Sequence, residues 1–281
     1  MKNIVVIANP SKDVALELTD RVIKTLYESG MQVYISGDCN YDSEYITKYT
    51  DFPENADLIV VVGGDGSVID ASKYAIEHEI PMLGVNLGKV GYLAEVEQDD
   101  LSVLFRLNEG HYKISDKMLL EAEFGTSEKS VLTCAVNDVV ISHDTHLGIS
   151  DFRVEDSVGN TVRYRADGVI FSTPQGSTAY SLSAGGPILA HDVESILMTP
   201  VSPHSFFNRS VLFNSSECIK VTNTSDTPMA ISIDGRLRGV LHTGEICAVR
   251  KSSKAVKMLT FSENSMFSSL FKKMRIIGDM D

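Results

Sequence analysis

Five consecutive residues, Gly63-Gly64-Asp65-Gly66-Ser67, form the strongest chemical signal in the chain. They follow an apolar run, Leu58 to Val62, and precede a segment of helical character. Glycines there leave no side chains between the backbone N–H groups and an approaching phosphate. The start of a helix adds a positive dipole end. Asp65 stands alone in this cradle as a carboxylate. A loop that grips a polyphosphate, with a proton acceptor beside it, is what transfer of a phosphoryl group to a hydroxyl requires. The bland alternative is a glycine-rich strand-to-helix turn with a solvated Asp. The pattern is neither G-x-G-x-x-G nor a P-loop. A near miss at Gly84 to Val90 has its glycines one residue too close, and no hydroxyl follows Lys89.

Thr173 to Pro187 crowds small, hydroxylated and glycine residues after a strand-like run. Such a surface lets a flat ligand approach the backbone, and Tyr180 could stack on a ring. A capped short helix with Tyr180 in the core is the competing reading. Asn137-Asp138 lies in a β-rich run, and Arg165-Ala166-Asp167-Gly168 lies at a strand boundary. An Asn amide suits a base edge and a carboxylate suits a pair of ribose hydroxyls. Either pair by itself is ordinary for a turn. His143 and His146 have metal-like spacing but no further soft ligand, which leaves an incomplete site.

The elements that must position these groups change character along the chain. Ile4–Ala8, Gln32–Ile35, Asp57–Val62 and Pro81–Val85 read as strands, and Val14 to Leu26 and Ser67 to Glu77 as helices. Fully apolar strands joined by helices predict a parallel sheet covered on both faces. After about residue 100 the pattern turns to strands: Met118–Phe124, Val131–Ser142, Ile149–Glu155, Thr161–Arg165 and Gly168–Ser172. Gly159-Asn160 supplies a hairpin turn. Cys218–Thr222, Ala230–Ile233, Glu245–Val249 and Val256–Phe261 continue the series, with one short helix near Ser177 to Ala184. The expected architecture is an N-terminal Rossmann-like α/β domain over 1–100 and a β-sandwich-like domain over 101–261. A tail, 262–281, is expected to return to the first domain. Met266 to Met274 reads as its docking helix rather than a membrane-surface helix.

The chain has 281 residues and a formal net charge of −13, which argues against a general nucleic-acid partner. Hydrophobic residues make up 43% and charged residues 22%, a globular composition. Four scattered cysteines with no C-x-x-C pair read as reduced thiols. The first apolar run is too short for a signal peptide, and no stretch reaches the length of a membrane span. A cytoplasmic protein is expected.

Taken in order, Gly63–Gly66, Asn86 to Leu93, Asn137-Asp138, Asp167-Gly168 and Thr173 to Pro187 resemble the NAD kinases, and Pro203-His204 and Arg209 fit the same resemblance. It runs over nearly the whole chain. It implies an α/β nucleotide domain with an all-β domain, and assembly as a homodimer or homotetramer. It also implies transfer of the terminal phosphate of ATP or polyphosphate to the 2′-hydroxyl of NAD's adenosine ribose, with Mg²⁺ on the donor phosphates. The resemblance makes Asp65 the proton acceptor and Gly63, Gly64 and Gly66 the donor-phosphate loop. For NAD binding it implies Asp65, Gly66, Asn137, Asp138, Arg165, Asp167, Thr178, Ala179, Tyr180, Ser183 and Asp234.

Three positions depart from the family pattern. Asp138 replaces a usual Glu and is one methylene shorter. Gln175 replaces a small hydroxyl. Arg236 follows Asp234-Gly235 where Gln is common. Two rival readings share some features: a lipid or sugar kinase with the same Gly-Gly-Asp-Gly loop, and a non-catalytic NAD or NADP sensor.

Overall fold

Apolar runs with no polar interruption can sit only where both faces are covered, and the first unit of the computed structural model is built from them. The structure describes residues 1–8, 13–87, 93–125, 130–143, 148–204 and 207–261. The described residues divide into two compact units, one over 1–117 together with 256–261 and the other over Met118–Ala255. Residues 101–117 therefore belong with the first unit, not with the second as the change in sequence texture suggests. Residues 256–261 also belong with the first.

In the first unit, β1 (Asn3–Ala8), β2 (Gln32–Ser36), β3 (Ile46–Tyr49), β4 (Leu58–Gly63) and β5 (Met82–Asn86) pair in parallel. Their order is β5-β4-β1-β2-β3, and the short β6 (Val96–Glu97) adds to β5. The end of the last described strand also pairs in parallel with β5, at Met258 and Met82. Every residue of β4 and of β5 is buried. Helix α1 (Asp13–Glu28) buries Leu18, Val22, Ile23 and Leu26, the 3.6-residue stripe expected of it. It ends at Gly30, whose φ of +79° only glycine adopts freely. Helix α2 (Asp65–His78) buries Val68, Ala71, Ser72 and Ala75. A 3₁₀ turn (Leu101–Phe105) and the short α3 (Arg106–Glu109) close the core with Leu101, Leu104 and Leu107. Neither β3 nor this helical turn is evident from sequence periodicity, since only four residues make β3 and just one end of it touches the core.

The second unit is built of antiparallel strands, some alternating inward and outward residues and others buried along nearly their whole length. Its strands are β7 (Lys113–Gly125, which begins in the first unit), β8 (Ser130–Ala135), β9 (Asp138–His143), β10 (Ser150–Glu155), β11 (Thr161–Ala166), β12 (Gly168–Ser172) and β13 (Ser195–Val201). They continue with β14 (Val211–Asn214), β15 (Cys218–Asn223), β16 (Met229–Ile233), β17 (Arg236–Leu241) and β18 (Ile246–Thr260). One sheet runs β14-β13-β12-β9-β16-β17. The other contains β11-β10-β15-β18, with β7 beside β18 and β8 beside β7. Side chains of both meet in one core that includes Leu120, Ile141, Phe152, Phe171, Ile219 and Val249.

Two expected strands are drawn differently in space. The apolar run 131–142 is not one strand: β8 and β9 lie in different sheets and break at Val136-Asn137. Conversely, Glu245–Val249 and Val256–Phe261 are parts of one long strand, β18, because its polar middle stays extended. The hairpin at Gly159-Asn160 is present. Gly159 has a φ of +89°, and the Asp156 carboxylate accepts from the N–H groups of Val158 and Asn160.

Among the described residues no helix is long and apolar enough to cross a membrane. The expected docking helix, 266–274, lies outside the described residues, as does the rest of 262–281.

Candidate active site

The Gly63–Ser67 turn sits where β4 hands over to α2, at the carboxyl end of a parallel strand. Gly64 takes the position before the helix, with extended backbone at φ −95° and ψ −175° and no side-chain cap. A Cβ added at Gly64 or at Gly66 would meet nothing within 4 Å. These two residues therefore face open space, and their backbone is accessible from it. Gly63 differs: a Cβ there would come 2.4 Å from Ser67 Oγ, so the turn closes tightly beneath the open side.

Asp65, the first residue of α2, is half-buried. Its Oδ1 accepts a hydrogen bond from the Leu93 N–H at 3.0 Å. The turn is tied to the next strand by the Leu87 N–H, which donates to the Gly63 carbonyl at 3.2 Å. Beside it, buried Asn86 donates through Nδ2 to Glu97 Oε2 at 3.1 Å. A carboxylate at a helix start, held in place by a backbone N–H, can accept a proton from a hydroxyl brought to it. Lys89 and its neighbours 88–92 lie outside the described residues.

In the second unit the break between β8 and β9 puts Val136-Asn137-Asp138 in a tight bend. Asp234, at φ +48° between β16 and β17, closes it. Its carboxylate accepts from three consecutive backbone N–H groups, those of Val136 (2.9 Å), Asn137 (2.7 Å) and Asp138 (3.1 Å). Its own N–H donates back to the Asp138 carbonyl at 3.0 Å. Thr173 grips the other side. Its Oγ1 donates to the Val136 carbonyl (2.8 Å) and accepts from the Gly176 N–H (2.9 Å), and its N–H donates to the Asn137 carbonyl (2.9 Å). Gly176 packs so closely that a Cβ would fall 2.0 Å from the Asn137 carbonyl oxygen. Only glycine fits.

Two carboxyl groups are buried together here. Burial, and then the neighbouring Asp234 charge, push the Asp138 carboxyl up to about 7, against the opposing pull of the Tyr180 N–H. Burial raises Asp234 as well, but the three N–H groups of the bend favour its charged form. The pair therefore divides its roles. The three N–H groups favour the charged form of Asp234, and burial beside that charge favours the protonated form of Asp138.

The expected short helix is a 3₁₀ turn (Gly176–Thr178) followed by α4 (Tyr180–Ser183). Ser177 Oγ donates to the Pro174 carbonyl at 2.6 Å and accepts from the Leu189 N–H at 3.0 Å. Thr178 is buried, and its hydroxyl donates to the Gln175 carbonyl. Tyr180 is 47% exposed, so it is not a core residue, and Ser183 is exposed beside it with Ala179 half-buried. Gln175 is 7% exposed, and its Oε1 has no hydrogen-bond partner among the described residues.

The structure thus brings Asn137, Asp138, Asp234 and the 176–183 segment together. It does not place Arg165 and Asp167 with them. Ser172 pairs with Asp138, whereas Gly168 pairs with Ser142. Asp167 therefore stands about five residues, roughly 16 Å, along β12 from Asp138. The Asp167 carbonyl accepts from the N–H and Nδ1 of His143, and the exposed Arg165 gives its carbonyl to the His204 N–H. His146, the other half of the histidine pair, lies outside the described residues. Among the described residues no group of three or more His, Cys, Asp or Glu could hold a metal ion. Thr173 is the residue whose anchoring role sequence reasoning missed. A Thr-Pro step directly after a fully buried strand was the available signal.

The description "ATP-NAD kinase N-terminal domain" matches residues 4–112, and "ATP-NAD kinase C-terminal domain" matches 136–261. The NAD kinase of Heliobacterium modesticaldum is 36% identical over 284 residues, covering 98% of this chain and 99% of that protein. The chain belongs to the NAD kinase family. The NAD kinase of Lachnoclostridium phytofermentans is 34% identical over 97% of this chain and 99% of its own length. Members of this family are phosphotransferases. The fold is shared with the yeast NADH kinase solved with NADH (TM-score 0.85, 23% identity, 98% of this chain and 88% of that one). It is shared too with the Archaeoglobus fulgidus NAD kinase solved with ATP (TM-score 0.74, 24% identity, 98% of this chain and 99% of that one). Both solved structures match the α/β and all-β organisation found here.

Proposed function

We propose that this protein transfers the terminal phosphate of ATP to the 2′-hydroxyl of the adenosine ribose of NAD, giving NADP. The observation that carries the reading is Asp65, a carboxylate fixed by the Leu93 N–H in a turn whose Gly64 and Gly66 leave the backbone open. The match over 136–261 favours an NAD kinase over a lipid or sugar kinase that shares only the glycine loop.

In the proposed reaction the ribose oxygen attacks the terminal phosphorus as its proton passes to the Asp65 carboxylate, and the O–P bond to the leaving diphosphate breaks. Backbone N–H groups of the Gly63–Gly66 turn and the start of α2 stabilise the donor phosphates. Mg²⁺ enters as part of the substrate, on the donor oxygens, where it offsets the charge that develops there. Asn137 and Asp138 bind NAD through their polar side chains. Tyr180 offers an exposed ring for stacking, and Thr178, Ala179 and Ser183 line the adjoining surface. Asp234 acts by holding the 136–138 bend in shape. Arg165 and Asp167 contact a more distant part of the dinucleotide.

The test is incubation with NAD, ATP and Mg²⁺ followed by detection of NADP. Wild type forms NADP, and Asp65→Asn forms at least about a hundredfold less while still binding NAD. Absence of NADP with wild type would reject the reading in favour of a dinucleotide sensor. Full activity in Asp65→Asn would reject the proton-acceptor role.

A further inference from the structure

The 136–138 bend holds two carboxyl groups and shares its hydrogen-bond donors between them unequally. Asp138 is 4% exposed, and Asp234 is half-buried next to it. Asp234 takes the N–H groups of Val136, Asn137 and Asp138, so Asp138 gives even its own N–H to its neighbour. Among the described residues the Asp138 carboxyl keeps one donor, the Tyr180 N–H at the start of α4.

The elements packed against Asp138 do little for a negative charge there. Its strand, β9, lies between β12 and β16. On the β12 side Ser172 stands directly opposite, which puts both side chains on one face of the sheet. The Ser172 hydroxyl is buried and makes no hydrogen bond among the described residues, so it does not serve the carboxylate. On the β16 side the facing group is Asp234, a like charge. The cations beyond it, Arg236 and Arg238, are exposed on β17, and Arg238 acts on Asp234. The covering segment, Thr173 to Pro187, contains no acidic or basic side chain, and its one titratable group is the half-exposed phenol of Tyr180. A buried carboxyl with one donor and a like charge beside it favours its protonated form. The Asp138 carboxyl is accordingly pushed up to about 7, by burial and then by the Asp234 charge.

A ribose supplies the donors that the protein withholds. Its neighbouring hydroxyls can each donate to a carboxylate, and hydrogen bonds to the charged form favour that form. We infer that NAD binds to the ionised form of Asp138, so that binding drives the carboxyl proton out to solvent and affinity for the dinucleotide rises with pH. The inference rests on the reading of Asp138 as an NAD-binding residue and deepens it, because it makes the acceptor side of the site sensitive to protons. The sign follows from which state holds the proton. At low pH the free protein carries it on Asp138 and NAD must displace it. Once the free carboxyl has ionised, nothing remains to be displaced and the coupling vanishes.

The experiment is calorimetry of NAD binding without a phosphate donor, repeated in buffers of different ionisation enthalpy so that released protons are counted. Wild type should release close to one proton at about pH 6 and almost none above about pH 8, and its Kd should fall about tenfold between those values. Asp138→Asn has no such proton to lose. Its Kd should change by less than about twofold over the same range, with no dependence on buffer. Because this variant could lose NAD binding altogether, wild type carries a second readout. The infrared carbonyl band of a protonated carboxyl should be present in the free protein at about pH 6 and lost when NAD is added. A band that NAD leaves in place, proton release that persists in Asp138→Asn, or a wild-type Kd flat across this range overturns the inference. NADP formation by wild type is scored separately. A wild type that makes NADP but binds NAD without releasing a proton sinks the inference and leaves the kinase reading standing. One that releases the proton on binding and makes no NADP does the reverse, and one that binds no NAD sinks both.

Discussion

The two units each join glycine to aspartate, and they use the pair in opposite ways. At Gly63–Gly66 the glycines at 64 and 66 face open space, and Asp65 is half-buried at a helix start. At Asn137-Asp138 the glycine is jammed against a carbonyl, and Asp234 binds three N–H groups of its own backbone. One arrangement keeps polar groups accessible to a ligand. The other consumes them in building a bend that no regular strand could make. A glycine-aspartate motif is therefore not by itself evidence of a catalytic group. What the carboxylate bonds to decides.

The contrast predicts that changes at Asp65 alter rate and that changes at Gly176 and Asp234 alter stability. The largest effect is on rate: Asp65→Asn should lower kcat by about 10²–10⁴, measured as NADP formation, with its melting temperature unchanged. Gly176→Ala comes next and should lose about 3 kcal/mol or more, because a backbone carbonyl, not a mobile side chain, stands in the way of the new Cβ. Chemical denaturation would measure it, and a loss below about 1 kcal/mol would show that the bend relaxes easily.

Asp234→Asn should lose about 2–3 kcal/mol, since an amide cannot accept from three N–H groups as a carboxylate does. Equal stability of Asp234→Asn and wild type would erase the distinction drawn between Asp65 and Asp234.

Asp138→Asn carries a pH signature. The folded carboxyl titrates near 7, above its unfolded value, so the folded state binds the extra proton between the two values. Its ionisation therefore costs stability progressively as pH rises from about 4 to 7, and the full cost is present above 7. The neutral Asn escapes that cost. Asp138→Asn should raise the melting temperature by roughly 3–6 °C at pH 8 and by much less at pH 5. A pH-independent difference would contradict the burial argument. The smallest effect is Gly64→Ala, which should change stability by under about 1 kcal/mol because its Cβ meets nothing, yet should raise the KM for ATP.

Much of this was legible in the residues themselves. The runs in β1, β4 and β5 are apolar without interruption, so burial on both faces and a parallel pairing followed directly. Gly63 to Ser67 announced a turn at a strand end. The strands that escaped notice, β3, β6, β13, β14 and β17, are short, partly exposed or interrupted by Pro200, and local periodicity is weak in such segments. The break of 131–142 into β8 and β9 also escaped notice: Asn137-Asp138 is ordinary for a turn, but apolar residues continue on both sides of it. The bend is imposed by Asp234 and Thr173 from 97 and 36 residues away.

Sequence alone determined the composition of each unit, the order of most elements and the residues able to do chemistry, because hydrophobic period and glycine placement act over a few neighbours. Only tertiary structure decided which carboxylate stays available and which is tied to backbone. It also set how far Asp167 stands from Asp138. Those are consequences of strand register and distant hydrogen bonds, which have no local trace in the chain.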